Sequence, residues 1–135
     1  MPVFIDASLL YAYANKDDIN HRKAVKIMED IVVSKKYGKP IISDYIFDEA
    51  VTVAFRKSGK QTAINLGEFI IKSEFVLVKV EEMVFQQAWK LFQETNNFSF
   101  TDCTIAAMMK IFGVEYLATF DKEFKNIEGL SVVDG

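Results

Sequence analysis

The 135-residue chain has one cysteine, Cys103, so no disulfide can form within it. It has one histidine, His21, and two arginines, Arg22 and Arg56, so its positive charge is carried mainly by lysine. No apolar run approaches the roughly 20 residues needed to cross a bilayer. Met1-Pro2-Val3 leads straight into a strand-like run with no basic segment and no small-residue cleavage site; no secretory signal is expected, and a cytoplasmic location follows from that and from the cysteine count. Net charge is −3 and the pI about 5.2, which excludes a protein that coats nucleic acid through bulk positive charge but not an enzyme acting on it. Gly-x-Ser-x-Gly, the P-loop, Gly-x-Gly-x-x-Gly and any Cys-His pairing are all missing. There is no repeat, low-complexity tract or linker. Half of the residues are hydrophobic, enough for a core, and a single domain spanning 1–135 is expected.

Short apolar runs alternate with helical periodicities. Strands are predicted at Pro2–Ile5, Pro40–Ile42, Phe75–Val78, Tyr116–Thr119 and Leu130–Val133. Helices are predicted over Leu9–Tyr13, from the Asp17–Asn20 cap region to about Val33, over Asp44–Lys57 behind Ser43, over Lys60–Lys72 and Glu81–Gln93, and from Ser99 to Phe112. A helical turn is predicted over Asp121–Lys125. The alternation implies right-handed crossovers and a parallel sheet, with ligands gathering at the carboxyl ends of its strands.

Four acids break this pattern. Asp6 directly follows Val3-Phe4-Ile5, and Asp121 comes soon after Tyr116-Leu117-Ala118. Glu49 lies three residues after Ile46 and four before Val53, on the apolar stripe of its helix, whereas Asp44, Asp48, Thr52 and Arg56 form the polar stripe. Asp102 precedes Ile105, Ala106, Met109 and Phe112 on a core-facing stripe. A carboxylate at such a position raises the free energy of the fold unless compensated. Each aspartate taken alone also reads as a helix cap, and Ser99-x-x-Asp102 as a capping box. Four such acids at one predicted edge point to a shared divalent cation. An all-oxygen donor set favours Mg2+ or Mn2+ over zinc, and that chemistry suits phosphodiester hydrolysis. His21 and Cys103 read as structural. Phe85, Trp89 and Phe92 share a helical face and read as core or interface.

The series Phe4-Ile5-Asp6-Ala7-Ser8, Asp48-Glu49-Ala50-Val51, Ser99-Phe100-Thr101-Asp102-Cys103 and Ala118-Thr119-Phe120-Asp121-Lys122 resembles a PIN domain, of the VapC-type toxin ribonuclease kind. The resemblance runs over essentially the whole chain. It implies a three-layer α/β/α sandwich with a mainly parallel sheet and a Mg2+- or Mn2+-dependent endoribonuclease. It maps the acidic quartet to Asp6, Glu49, Asp102 and Asp121, with Ser8 and Thr119 as supports. It also implies an RNA substrate, a homodimer and a small antitoxin partner. Phe120 stands where that family often has a basic residue. For RNA phosphates, Arg56, Lys57 and Lys122 are the first candidates, ahead of Lys35, Lys36, Lys39, Lys60, Lys110 and Lys125; each also reads as an ordinary solvated cation. Two other readings compete. A Mg2+-dependent phosphatase with Asp6 as nucleophile would need a second aspartate where Ser8 stands. A non-catalytic PIN-like module binding RNA or protein would have no use for an intact quartet.

Overall fold

The computed structural model describes residues 2–135. Three- and four-residue apolar runs form five strands: β1 (Val3–Ile5), β2 (Pro40–Ser43), β3 (Val76–Val78), β4 (Tyr116–Ala118) and β5 (Ser131–Val133). They pair in the order β3-β2-β1-β4-β5, all parallel, with Phe4 opposite Ile41 on one side and Leu117 on the other. β1 is paired on both edges and has helices over both faces, which is why Val3, Phe4 and Ile5 are fully buried. Parallel strands buried on both faces read as unbroken apolar runs rather than alternating ones. At the β3 edge, Val76 and Leu77 remain exposed.

Between the strands lie α1 (Ala7–Ala14), α2 (His21–Met28), α3 (Asp44–Ser58), α4 (Lys60–Lys72), α5 (Glu82–Glu94) and α6 (Phe100–Phe112). Ser43 caps α3 by accepting the Ile46 amide at 3.1 Å. Gly113, at φ +68°, ends α6 in the left-handed conformation that glycine adopts without strain. α1 packs on α2, α3 and α4, and α3 on α4, while α5 pairs with α6. The chain steps from β1 outward to β3, then crosses back to β4 on the far side of β1. Right-handed crossovers therefore place α5 and α6 on the face opposite α1–α4, and the result is the three-layer α/β/α sandwich.

Two expectations needed adjustment. The second helix does not run as an α-helix to Val33: Glu29–Val33 winds as a wider π-helical turn, closed by the Ser34 amide on the Glu29 carbonyl at 2.9 Å. The β-branched run Ile31-Val32-Val33 has low helix propensity, and the regular α-pattern gives way there. On α5, Val84 and Ala88 face the core, but Phe85 and Phe92 remain more than a third exposed.

The reversal of strand order between β1 and β4 fixes where a site can form. Loops leaving the two carboxyl ends diverge there and open a crevice. Asp6 leaves β1 and Thr119 leaves β4 at that crevice.

Candidate active site

Asp6 is 5% exposed. Its amide extends the β1–β4 ladder by donating to the Ala118 carbonyl at 3.0 Å. Its Oδ1 accepts the Ala7 amide at 2.8 Å and so caps α1. Its Oδ2 accepts the Ser8 hydroxyl at 3.0 Å and the Thr119 hydroxyl at 2.7 Å. Each hydroxyl has one proton, and both protons go to Asp6. The 3.2 Å separation between Ser8 Oγ and Thr119 Oγ1 is therefore proximity rather than a third bond. The same hydroxyls accept in turn: Ser8 from the Phe120 amide at 3.1 Å, Thr119 from the Asp121 amide at 3.0 Å. Burial pushes the Asp6 carboxyl above its ordinary range, against the pull of its three donors; the Asp121 charge adds to the rise.

The other acids arrive from three elements. Asp121 caps the 3-10 turn Lys122–Asn126, its Oδ1 accepting the Glu123 amide at 3.0 Å. Asp102 forms a reciprocal capping box with Ser99: its Oδ2 accepts the Ser99 amide at 3.0 Å, and its amide donates to Ser99 Oγ at 3.1 Å. Glu49 lies in the second turn of α3, half-buried, with no protein donor among the described residues. Its carboxyl is pushed up to about 7 by burial first, then by the charges of Asp6, Asp102 and Asp48. Burial also raises Asp102, helped by the charges of Asp6 and Asp121 and opposed by the Ser99 bonds. Asp6 and Asp102 thus link the group across one edge of the sheet, each acting on Glu49 and each feeling Asp121.

Three of the four, then, cap a helix or turn and also belong to this mutually repelling group. Among the described residues, no three Asp, Glu, His or Cys side chains close into a ready-made metal cage. Each aspartate spends an oxygen on its local cap. Asp102 Oδ1, Asp121 Oδ2 and both Glu49 oxygens have no protein donor among the described residues. Oxygen donors, like charges and uncommitted lone pairs fit a hard dication. His21 points away, its Nδ1 lying 2.8 Å from the Ala12 carbonyl oxygen. Cys103 is buried, its thiol pushed up by burial and by Asp102, which disfavours the thiolate a soft metal needs.

Of the basic candidates, Lys122 is exposed directly beside Asp121. Arg56 and Lys57 are exposed near the far end of α3; Lys57 lies eight residues past Glu49, about 12 Å along the helix axis. The Lys57 ammonium stands 5.4 Å from the Tyr11 ring centre. Tyr11 is buried and accepts from Asn15 Nδ2 at 2.6 Å; Tyr13 packs on Phe69. Tyr45 lies 6.5 Å from Phe100, which also meets Phe85, Trp89 and Phe92.

The sequence reading missed the role of Asp44. It sits on the polar stripe, yet its Oδ1 accepts both the Tyr45 amide at 3.0 Å and the Val80 amide at 2.9 Å. It ties the ends of β2 and β3 together at the site edge, and the Ser43-Asp44 pair just after a strand was the available signal.

The family profile described as "PIN domain" matches residues 3–130. A curated relative, the 23S rRNA-specific endonuclease VapC20 of Mycobacterium tuberculosis, is 24% identical over 126 residues, covering 90% of this chain and 91% of that protein. The crystal structure of Mycobacterium tuberculosis VapC20, described as a sarcin-ricin loop cleaving toxin, superposes with a TM-score of 0.82 at 22% identity, over 91% of this chain and 92% of that one. A toxin-antitoxin complex from Klebsiella pneumoniae matches with a TM-score of 0.65 at 19% identity, over 97% and 95%. At these identities the solved structures speak for a shared fold.

Proposed function

The chain belongs to the PIN domain family, and on that premise we propose that it is a Mg2+- or Mn2+-dependent endoribonuclease, the toxin of a toxin–antitoxin pair acting in the cytoplasm. The observation that carries this is the gathering of Asp6, Glu49, Asp102 and Asp121 at one edge of the sheet, where the charges of Asp6 and Asp102 act on Glu49 and that of Asp121 acts on Asp6 and Asp102. These four would hold the ion. Once bound, it would polarise a phosphate oxygen and make an attacking water more acidic.

The chain's own part is to aim the carboxylates. Ser8, Thr119 and the Ala7 amide fix both oxygens of Asp6. Thr119 also holds the Asp121 backbone, so these two acids share one anchor. The box around Ser99 fixes the rotamer of Asp102. Glu49, without such ties, is the acid that can swing toward an ion. Lys122, beside Asp121, is positioned to meet a phosphate, with Arg56 and Lys57 serving a longer strand farther along α3.

Two surfaces suit the protein partners. Between α3 and α4 runs a groove lined by Phe47, Val51, Phe55, Ile64 and Ile71. Its apolar floor suits an amphipathic antitoxin segment, and the Klebsiella pneumoniae relative is a toxin-antitoxin complex. On the other helical layer, the half-exposed Phe85, Trp89 and Phe92 suit a second copy of the chain.

The deciding experiment incubates purified protein with structured ribosomal RNA, with Mg2+, with Mn2+ and with EDTA. Cleavage that needs a dication and is lost in Asp121→Asn supports the assignment. Metal-independent binding without cleavage would instead favour a non-catalytic RNA- or protein-binding module.

A further inference from the structure

The capping box fixes Asp102 relative to Ser99, and the 3-10 turn fixes Asp121 relative to Glu123. Neither fixes one acid relative to the other. Among the described residues, no hydrogen bond or ion pair joins residues 95–102 to residues 121–127. What joins them is a ring contact: Phe98 and Phe124 stand 5.2 Å apart between centroids, tilted by 41°.

We infer that Phe98, clasped on Phe124, is a positioning residue that sets the approach of Asp102 to Asp121. Phe124 is fully buried three residues after Asp121, and its amide donates to the Asp121 carbonyl at 3.3 Å. It is a fixed post for the acid that caps its turn. Phe98 immediately precedes Ser99, the residue before a helix cap, where an apolar side chain commonly packs against the fourth helical residue and sets the angle at which the chain meets the helix. Here Phe98 meets a ring from the β4–β5 connection instead. The start of α6 is thereby aimed at the turn carrying Asp121 rather than only at its own helix. An aromatic pair of this kind stabilises beyond the area it buries, and its rigidity limits how far the two carboxylates can drift apart.

The inference rests on the nuclease assignment above, because the spacing of the two acids is read through the dication they would hold. The test titrates Mn2+ into metal-free wild type, Phe98→Ala and Phe98→Leu by calorimetry, with a urea melt and the Mg2+ dependence of RNA cleavage measured alongside. Phe98→Ala is expected to bind Mn2+ roughly 10-fold more weakly, as when a residue supporting a metal ligand is removed. The Mg2+ concentration for half-maximal cleavage should rise in step, while cleavage at saturating Mg2+ recovers. Phe98→Leu, which keeps an apolar side chain of useful size, should show a smaller change in the same direction and stands in if the alanine variant fails to fold. A lowered urea midpoint with unchanged Mn2+ affinity in either variant overturns the inference and leaves the nuclease assignment untouched. A wild-type chain that takes up no Mn2+ overturns both.

Discussion

Thr119 Oγ1 donates to Asp6 Oδ2 at 2.7 Å across 113 positions of sequence, and the same oxygen accepts the Asp121 amide at 3.0 Å. One buried hydroxyl thereby orients one acid and anchors the backbone of another. Thr119→Val keeps the branched shape and removes both roles. RNA cleavage is expected to fall at least about 10-fold and stability by about 1–3 kcal/mol, because the Asp121 amide loses its acceptor. Thr119→Ser should recover most of each. Cleavage kinetics and urea melts on the three proteins check this, and full activity in the valine variant would remove Thr119 from the site.

Asp121→Asn preserves the cap, since an asparagine oxygen can still accept the Glu123 amide. Its far-ultraviolet circular dichroism should match the wild type, while dication-dependent cleavage drops by more than about 100-fold, the scale expected when a charge central to the chemistry is lost. Asp6→Asn should lose activity to the same extent. Retained cleavage in both would end the nuclease assignment.

The pH dependence of metal-free stability has a definite sign. Glu49 titrates near 7 in the folded chain against an ordinary value of 4.5. Between those values the folded chain keeps a proton that the unfolded chain has released. Its contribution is present in full below about 4.5 and is lost as pH rises through about 7; Asp6 and Asp102 are shifted in the same direction. Allowing for solvent screening at a half-buried side chain, the Glu49 share is about 1–2 kcal/mol. Urea midpoints of the metal-free protein should fall between pH 5 and pH 8, and Glu49→Gln should flatten the curve. A midpoint that climbs over that range would contradict the upward shift of Glu49.

Dication binding should reverse that loss. Protons and the ion compete for the same oxygens, so metal affinity rises with pH. Mn2+ is expected to raise the melting temperature more at pH 8 than at pH 5, by mass action on the folded state. Stripping with EDTA should stop cleavage, and added Mg2+ or Mn2+ should restore it. Equal shifts in melting temperature at both pH values would point to binding elsewhere.

The helices and strands were legible because their signals are local: Ser43 and Ser99 as caps, Gly113 as a stop, short apolar runs for a sheet buried on both faces. Glu49 stood out because its neighbours Ile46 and Val53 define a stripe, while Asp6, Asp102 and Asp121 each had a capping explanation that turned out to be true as well. What stayed hidden depends on contacts between distant segments. Asp44 accepts the Val80 amide only because β3 lies beside β2. Phe98 finds Phe124 only after β4 has inserted next to β1. The π-helical turn at Glu29–Val33 falls on three successive β-branched residues, whose low helix propensity simple periodicity does not register.

β4 follows β1 only after all six helices, and β1 gains its second partner only when β4 pairs with it. Until then β1 has a bare hydrogen-bonding flank, and unpaired strand flanks invite association with other chains. A polypeptide lacking residues 116–119 would keep that flank open and would hold Asp6 without its main hydroxyl anchor. Copies without that segment would therefore lack the oriented Asp6 carboxylate and be prone to clump.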